Sequence, residues 1–333
     1  MSQPDLERMC EICGLGKQIT LPERIHGGLL HRMYAVLTTK GKYAIKVLNE
    51  EVITRPSAVK NFLNSEEVAT VVSNEIPALP ALWLNGTFLQ QLDGQYFLVY
   101  DWIEGESLKP VSITSDHSKK VGALLSDIHR TDFSTLHIPY DIEESEVTDW
   151  EYYLHLGKEA DAPWVPLFDT YVENLYRWTA MAKKASEILS SEVVISHRDL
   201  DPKNVLWSNG EPIVIDWESA GYINPMQDLL ETAVYWAMTG EGKIDKERFF
   251  SFIDGYKKTC EPYADWKKVL ATGFSGKLGW LEYNLKRSLK LDGSLDEGQK
   301  MGTDQVLQTL NEIKQYADSL PTLENWLQEK DRG

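Results

Sequence analysis

The residues with the clearest chemical potential lie in one segment, SHRDLDPKNVLWSNGEPIVIDWE, which begins at Ser196. It carries His197, Asp199 and Asn204 in an H-x-D-x-x-x-x-N pattern, and Asp216 follows Asp199 by 17 residues. Phosphoryl transfer depends mainly on positioning and on neutralising charge at the transferred group. An Asp can take the proton of an acceptor hydroxyl, and an Asp with an Asn can hold Mg²⁺ through hard oxygen ligands. We predict Asp199 as the base, Asn204 and Asp216 as metal ligands, and His197 as a structural brace.

A single Lys in an apolar strand indicates a contact with phosphate. Lys46 lies within Tyr43-Ala44-Ile45-Lys46-Val47-Leu48, and a Lys buried there needs an anionic partner. The α- and β-phosphates of a nucleotide would provide it, with an acid of the following helix as tether. Glu66 and Glu67 compete for this role, and Glu67 is favoured because it directly precedes Val68-Ala69. The alternative is a Lys46 that points to solvent.

Two further segments are predicted to contact the nucleotide. Gly27 and Gly28 lie between two strands, where backbone N–H groups can approach phosphate, although the segment is not G-x-G-x-x-G. The strand that ends at Trp102 continues into a Glu-Gly pair, which indicates a hinge. Its backbone groups at Asp101 and Ile103 would pair with adenine.

These residues need strands around Lys46 and on both sides of the Asp199 loop. The first third of the chain predicts an antiparallel sheet with one helix: strands at 18–25, 33–39, 43–48, 81–84 and 95–102, and a helix at 56–73. Long helices follow at 115–130, 165–189, 225–238 and 296–317, interrupted by short strands at 193–196, 204–207 and 212–217 with an Asn-Gly turn. We predict an α+β fold with an N-terminal lobe at 1–102 and a larger, mainly helical lobe at 103–333.

The composition limits the class of protein. The 333 residues are 42% apolar and 26% charged, without an apolar run that could span a membrane or a secretory signal at the N-terminus. We therefore expect a cytoplasmic protein without membrane contact. Three Cys are too few for a disulfide framework, and a helix-buried Cys10 and Cys13 pair is favoured over a zinc site.

The charge indicates a partner class. A net charge of −17 opposes binding to a nucleic-acid backbone. Residues 1–102 carry 9 basic and 11 acidic side chains, which leaves 25 basic and 40 acidic ones for residues 103–333. A negative field of this kind attracts cationic small molecules, although it also serves solubility alone.

Three stretches, HRDLDPKNVLW, IVIDWESAG and NPMQDLLETA, resemble the aminoglycoside phosphotransferase and choline kinase superfamily, relatives of the protein kinases. The likeness runs from near Gln18 to near Leu310. It implies a bilobal protein-kinase-like fold, ATP or GTP as co-substrate, two Mg²⁺ ions and the loop roles given above. It also implies that Asp228 braces the catalytic loop from the next helix.

The resemblance to protein kinases is closest at Arg198, where antibiotic kinases often have Gly and choline kinases often have Asn. Asp216, however, is followed by Trp217-Glu218 in place of Phe-Gly, and the next helix is predicted to start near Pro225. This leaves no room for an activation loop that docks a polypeptide. We predict a small-molecule acceptor, and the Trp-Glu-x-Ala-Gly run favours the choline kinase side.

The candidate acceptor residues are acidic, aromatic or polar: Asp201, Glu218, Trp280, Tyr283 and Asn284. The last three share one helix face by i, i+3, i+4 spacing. Nine of the 11 Trp lie beyond residue 103, and aromatic walls bind ammonium groups by cation–π attraction unless these rings form the core.

We therefore predict a kinase for a cationic acceptor, either an aminoglycoside-like antibiotic or an amino alcohol such as choline or ethanolamine. A housekeeping kinase for homoserine or a sugar is a second hypothesis. A nucleotide-binding pseudokinase scaffold is a third, disfavoured because Lys46, Asp199, Asn204 and Asp216 are all present.

Overall fold

The structure is a computed structural model, and it describes residues 4–25, 30–140, 147–258, 265–293 and 295–331. The chain divides into two compact units. The first consists of Met1–Pro139, Ile195–Tyr222 and Glu247–Cys260, and the second of Tyr140–Val194, Ile223–Lys246 and Glu261–Gly333. Within the described residues, no helix combines the length and apolar character that crossing a membrane requires.

The helices are α1 (Leu6–Ile12), α2 (Glu50–Ile53), α3 (Ala58–Val72), α4 (Ser115–Arg130), α5 (Trp150–Glu159), α6 (Val165–Leu189), α7 (Pro225–Ala237), α8 (Lys246–Tyr256), α9 (Trp266–Thr272), α10 (Ser275–Ser288) and α11 (Asp296–Asp331). The strands are β1 (Glu23–Ile25), β2 (Arg32–Leu37), β3 (Lys42–Val47), β4 (Gln90–Leu92), β5 (Gln95–Asp101), β6 (Glu106–Ser107), β7 (Val194–Ser196), β8 (Val205–Ser208), β9 (Glu211–Val214) and β10 (Gly221–Ile223). Short 3₁₀ turns lie at Pro110–Ser112, Pro202–Asn204 and Trp217–Ser219.

The first unit contains a five-stranded antiparallel sheet in the order β1-β2-β3-β5-β4. The predicted antiparallel sheet and the β2–β3 hairpin are confirmed, and Thr38 N–H donates to Gly41 O at 2.8 Å to close the hairpin. The predicted strand at 81–84 is wrong, because this segment forms only isolated pairings. Pro77 and Pro80 remove backbone donors just before it, and β4 occupies the sheet edge instead.

The two faces of this sheet bury different helices, because side chains alternate along a strand. Phe97 and Val99 of β5 belong to the cluster that contains α1. Leu98 and Tyr100 belong to the cluster that contains Phe62 of α3. Residues directly opposite each other in a ladder share a face. Lys46, which lies opposite Leu98, therefore projects towards α3.

The catalytic-loop segment belongs to the same compact unit as this sheet. β8 and β9 form a hairpin through Asn209 and Gly210, whose φ angles of 52° and 80° are the left-handed values that the predicted Asn-Gly turn needs. Leu79 N–H donates to Val214 O at 2.9 Å, and Val214 N–H donates to Pro77 O at 2.9 Å. These bonds tie β9 to the segment after α3. The lobe boundary predicted at residue 102 stays a prediction.

The second unit is helical and has an aromatic core. The rings of Trp178 and Phe274 stack at 5.3 Å, and Tyr316 of α11 meets Phe274 edge-on at 5.0 Å. Six of the nine Trp beyond residue 103 are buried: Trp150, Trp164, Trp178, Trp236 and Trp266 in this unit, and Trp217 in the first unit. The Trp content of this part of the chain is therefore explained mainly by core packing.

Candidate active site

His197 braces the loop that carries Asp199. Its Nδ1 accepts a hydrogen bond from Asp199 N–H at 3.2 Å, so the ring proton lies on Nε2, which contacts Ile215 O at 2.9 Å. The imidazole is fully buried and packs on Trp217 with ring centroids 4.7 Å apart. One neutral side chain thus links the loop at Asp199 to the backbone immediately before Asp216, which fits the structural role predicted for His197.

The Asp199 carboxylate is fixed from both sides. Asn204 Nδ2 donates to Asp199 Oδ2 at 2.9 Å and to Asp199 O at 2.8 Å. Lys203 Nζ lies 3.4 Å from Asp199 Oδ2 and 2.9 Å from Asp201 Oδ2. Since Asn204 is buried and its amide nitrogen serves Asp199, its amide oxygen is the atom that can hold a cation.

The environment of Asp199 makes it a stronger base than an exposed Asp. Burial raises the pKa of Asp199 to about 6, the negative charges of Asp201 and Asp216 also raise it, and Lys203 opposes the shift. A carboxylate with such a pKa accepts a proton more readily while it stays ionised above pH 6.

Lys46 is buried and paired with acids. Its Nζ donates to Asp216 Oδ1 at 2.7 Å and to Glu218 Oε2 at 2.5 Å, and the residue is only 5% exposed. Burial alone would lower the pKa of Lys46, but the two carboxylates raise it above its ordinary value. The alternative of a solvent-facing Lys46 is wrong, because the β3 register turns the side chain inward.

Glu218 is predicted to contact the acceptor, but the structure places it beside Lys46. Burial alone would raise the pKa of Glu218, but Lys46 and His31 hold it well below its usual range. Asp216 and Glu218 follow β9 and lie two residues apart, so both side chains can contact the same cation, here Lys46. The short 3₁₀ turn at Trp217–Ser219 produces this convergence.

His31 is a site residue that the sequence analysis misses. Its Nδ1 accepts a hydrogen bond from Asn49 N–H at 3.1 Å, and its Nε2 lies 3.3 Å from Glu218 Oε2. The ring is buried and meets Phe62 of α3 edge-on at 5.7 Å. No motif marks His31, because its partners come from the N-cap of α2, from α3 and from the 3₁₀ turn after β9.

The buried acid of α3 near Lys46 is Glu66, not the predicted Glu67, and a tether between this helix and Lys46 stays a prediction. Glu67 is exposed, whereas Glu66 is 2% exposed and faces Lys46 electrostatically. The reason is helical geometry: Glu66 follows Phe62 by four residues and precedes Ala69 by three, so it lies on the buried stripe of α3. The Phe62–Ala69 spacing is the signal that identifies it. Even so, the short bonds of Lys46 go to Asp216 and Glu218.

Asn204 and Asp216 fit a magnesium site. Both offer hard oxygen atoms. Asn204 contacts the Asp199 carboxylate at 2.9 Å, and the negative charge of Asp216 contributes to raising the pKa of Asp199. Within the described part of the chain, no group of three or more His, Cys, Asp or Glu side chains is arranged to hold a metal. A two-ligand site is what Mg²⁺ uses when phosphates and water complete its shell.

The match to known proteins extends over most of the chain. The family model described as "Phosphotransferase enzyme family" matches residues 22–262. The chain belongs to this family. The matched range includes the β1–β5 sheet, the Asp199 loop and Asp216.

Solved structures share the fold of this phosphotransferase at low sequence identity. Spectinomycin phosphotransferase in complex with ADP and spectinomycin has a TM-score of 0.66 at 16% identity, covering 95% of this chain and 99% of that chain. Plasmodium vivax ethanolamine kinase has a TM-score of 0.57 at 14% identity, covering 86% and 80%. Amicoumacin kinase in complex with AMP-PNP, Ca²⁺ and Ami has a TM-score of 0.57 at 14% identity, covering 92% of this chain and 94% of that chain. The predicted protein-kinase-like fold is confirmed.

Some predicted nucleotide contacts of the phosphotransferase stay predictions. Gly27 and Gly28 lie outside the described residues. Asp101 is the last residue of β5 and Ile103 follows the strand, which is the position expected of hinge residues. Trp102 N–H donates to Lys42 O at 3.2 Å and holds the chain there.

Other predicted residues of the phosphotransferase belong to the second unit. Asp228 is buried in the first turn of α7, and its bracing of the catalytic loop stays a prediction. Trp280 and Tyr283 stack at 5.3 Å on α10, as their spacing predicts. Asn284 is fully buried and donates to Trp280 O at 2.8 Å, so it offers no exposed surface to an acceptor.

Asp201 has a local role besides its predicted one. Its Oδ1 accepts from Lys203 N–H at 2.9 Å and caps the 3₁₀ turn at Pro202–Asn204. Its acceptor contact stays a prediction.

The Cys10 and Cys13 pair is buried against the sheet, and burial raises the pKa of both thiols to about 11. These thiols are therefore core groups rather than reactive ones.

Proposed function

We propose that this phosphotransferase moves the γ-phosphoryl group of a nucleoside triphosphate to a hydroxyl group of a small, cationic molecule. The observation that carries the proposal is the Asp199 carboxylate, held by Asn204 and Lys203 within the same compact unit as the Lys46–Asp216 ion pair. A base, a metal-ligand pair and a buried cation are the groups that phosphoryl transfer requires.

Asp199 is the general base. As the acceptor oxygen forms its bond to the γ-phosphorus, the hydroxyl proton passes to the Asp199 carboxylate. The bond between the γ-phosphorus and the bridging oxygen breaks, and nucleoside diphosphate leaves. Asn204 restricts Asp199 to one orientation, and His197 holds the loop backbone beneath it. This pre-organisation reduces the entropic cost of bringing the acceptor into line.

Asn204 and Asp216 would hold Mg²⁺ through the amide oxygen and a carboxylate oxygen. The ion, when bound, neutralises charge on the phosphates. Lys46 contributes by exchanging one of its carboxylate partners for phosphate oxygens. The nearby Glu66, not Glu67, is the acid that remains to compensate Lys46 after such an exchange.

The acceptor class is supported by charge. A net charge of −17 attracts cations. The fold is shared with a spectinomycin phosphotransferase and an ethanolamine kinase, both of which act on molecules with amino groups. Core packing explains most of the Trp residues, so the proposal rests on charge rather than on an aromatic cage.

The test is Mg²⁺-dependent release of ADP or GDP by wild type and Asp199→Asn against aminoglycosides, choline, ethanolamine, homoserine and simple sugars. We expect one class of amine-bearing acceptor to stimulate release, and Asp199→Asn to reduce the rate by roughly 10²–10⁴ with little change in nucleotide affinity. Stimulation by a sugar or by homoserine instead would overturn the proposal of a cationic acceptor and support the second hypothesis, a housekeeping kinase for a neutral or zwitterionic acceptor. Nucleotide binding without release for any acceptor would support the scaffold hypothesis.

A further inference from the structure

Tyr100 lies one residue before the predicted hinge residue Asp101 and is buried on the α3 face of the sheet. Its hydroxyl donates to Glu66 Oε1 at 2.8 Å. The other carboxyl oxygen, Glu66 Oε2, accepts from Ala81 N–H at 2.6 Å. Both oxygens of Glu66 are thus held by neutral donors, and neither is held by Lys46.

This arrangement separates Glu66 from the cation that it faces. Lys46 of β3 reaches Asp216 and Glu218 within 2.7 Å, and no ion pair within 4 Å joins Lys46 to Glu66 in the described part of the chain. The two carboxylates use two of the three N–H donors of Lys46, so a phosphate that takes more than the third donor must displace one of them. The charge on Glu66 then decides whether a buried ammonium group is compensated during the exchange.

We propose that Tyr100 is a positioning residue: through its hydrogen bond to Glu66 it fixes the place and the charge of the carboxyl group that Lys46 meets when a nucleotide binds. The inference rests on the proposed function and adds to it. It connects β5, the strand that ends at the predicted adenine contact Asp101, to Lys46, the predicted phosphate ligand. Tyr100 touches neither reacting group and acts through Glu66.

The carboxyl group of Glu66 changes its charge near neutral pH. Burial raises the pKa of Glu66 to about 7, while the bonds from Ala81 and Tyr100 and the charge of Lys46 lower it, and Asp216 raises it. The charged or titratable groups that face Glu66 are therefore Lys46 of β3, Tyr100 of β5 and Asp216 after β9. Loss of the Tyr100 bond raises the pKa of Glu66 further, so the carboxyl becomes charged only at a higher pH.

The experiment compares wild type with Tyr100→Phe, which removes the hydroxyl and keeps the ring. Binding of Mg²⁺–AMP-PNP is measured by calorimetry from pH 6 to pH 9. We expect Tyr100→Phe to bind roughly three- to tenfold more weakly than wild type at pH 7, from the usual strength of one hydrogen bond, and equally at pH 9. Because the other groups titrate alike in both proteins, the difference between the curves isolates Glu66.

Two control variants complete the design. Tyr96→Phe is the matched control, since Tyr96 lies on the same strand and packs against the same cluster, and none of the described hydrogen bonds involves its hydroxyl. We expect Tyr96→Phe to follow wild type at every pH. Glu66→Gln keeps the shape of the carboxyl group without its titration, and we expect Tyr100→Phe to add no pH-dependent change in the Glu66→Gln background.

A loss in Tyr100→Phe that is the same at all pH values, or no loss, overturns the proposal, because a purely structural Tyr100 would produce either. The failure of the proposed function has a different signature. If wild type binds no nucleotide, urea unfolding of wild type and Tyr100→Phe across the same pH range still tests the Tyr100–Glu66 link. The link then predicts a difference in stability that changes with pH around neutrality.

Discussion

Replacement of Glu66 by Gln should make the protein more stable at alkaline pH. Glu66 is 2% exposed, and both its oxygens accept hydrogen bonds. Gln preserves this geometry, because its oxygen can accept from Ala81 N–H while its amide donates to the Tyr100 hydroxyl. The substitution therefore removes a titrating charge and little else.

The magnitude follows from the shift of the Glu66 pKa. Burial raises it from an ordinary 4.5 to about 7, and one pKa unit corresponds to about 1.4 kcal/mol. The folded protein binds the proton more tightly than the unfolded chain. Wild type therefore loses about 3 kcal/mol from this group as the pH rises through 4.5 to 7, and the loss is complete above pH 8. Glu66→Gln should exceed wild type by about 1 kcal/mol or less at pH 5 and by up to about 3 kcal/mol at pH 8.

Urea unfolding at pH 5, 6, 7 and 8, followed by tryptophan fluorescence, measures the difference. Glu67→Gln is the matched control, because Glu67 is the exposed neighbour in the same helix and its loss changes the net charge equally. A stability gain that is constant with pH, or that also occurs in Glu67→Gln, would refute the reasoning from burial.

Three other substitutions test separate parts of the structure. Asp216→Ala should abolish the Mg²⁺ dependence of nucleotide binding, measured by calorimetry with and without Mg²⁺. The role of Asp216 as a ligand is contradicted if wild type binds nucleotide equally with and without Mg²⁺. Arg198 has φ 64°, so Arg198→Gly should be tolerated while Arg198→Val costs about 1–2 kcal/mol, measured by urea unfolding. In Gly122→Ala the new Cβ would lie 2.1 Å from Phe252 O, and we expect a loss of about 1–3 kcal/mol or more, since backbone atoms must move; a melting temperature equal to wild type would contradict this close approach.

The sequence was most informative where local chemistry determines the outcome. The Asn209-Gly210 hairpin turn and the helices at 115–130 and 165–189 occur as predicted, because turn residues and helical periodicity are local signals. The sequence predicts that the last helix ends near Ala317, yet α11 continues through Pro321 to Asp331. A proline inside a helix removes one backbone bond, but packing of buried residues such as Leu323 and Leu327 compensates for it.

The positive φ at Arg198 shows how the structure explains a sequence observation. The related antibiotic and choline kinases often carry Gly or Asn at this position, and both residues adopt left-handed backbone readily. Arg198 adopts the left-handed backbone conformation at some cost in conformational energy. An Arg can therefore occupy this position without the activation loop that accompanies it in protein kinases.

The candidate site was predictable in its loop and unpredictable in its partners. The H-x-D-x-x-x-x-N pattern specifies a loop whose side chains interact over a few residues, as the Asn204–Asp199 and Asp199–His197 bonds do. The environment of Lys46 depends on contacts 170 and 172 residues away in the chain. Such contacts leave no local pattern, so the sequence does not indicate that Glu218 lies beside Lys46 or that His31 lies beside Glu218.

The crowding of acids around Lys46 predicts that nucleotide binding at this site depends on a cation. Asp216 and Glu218 already neutralise Lys46, and Asp199 adds a further negative charge close to Asp216. A polyphosphate entering this cluster meets an excess of negative charge, so its binding is favourable only if positive charge enters with it. By reciprocity, the nucleotide must strengthen cation binding by the same factor by which the cation strengthens nucleotide binding. When Lys46 exchanges a carboxylate for phosphate, an ionised Glu66 compensates it, and the Tyr100 hydrogen bond favours that charge state of Glu66.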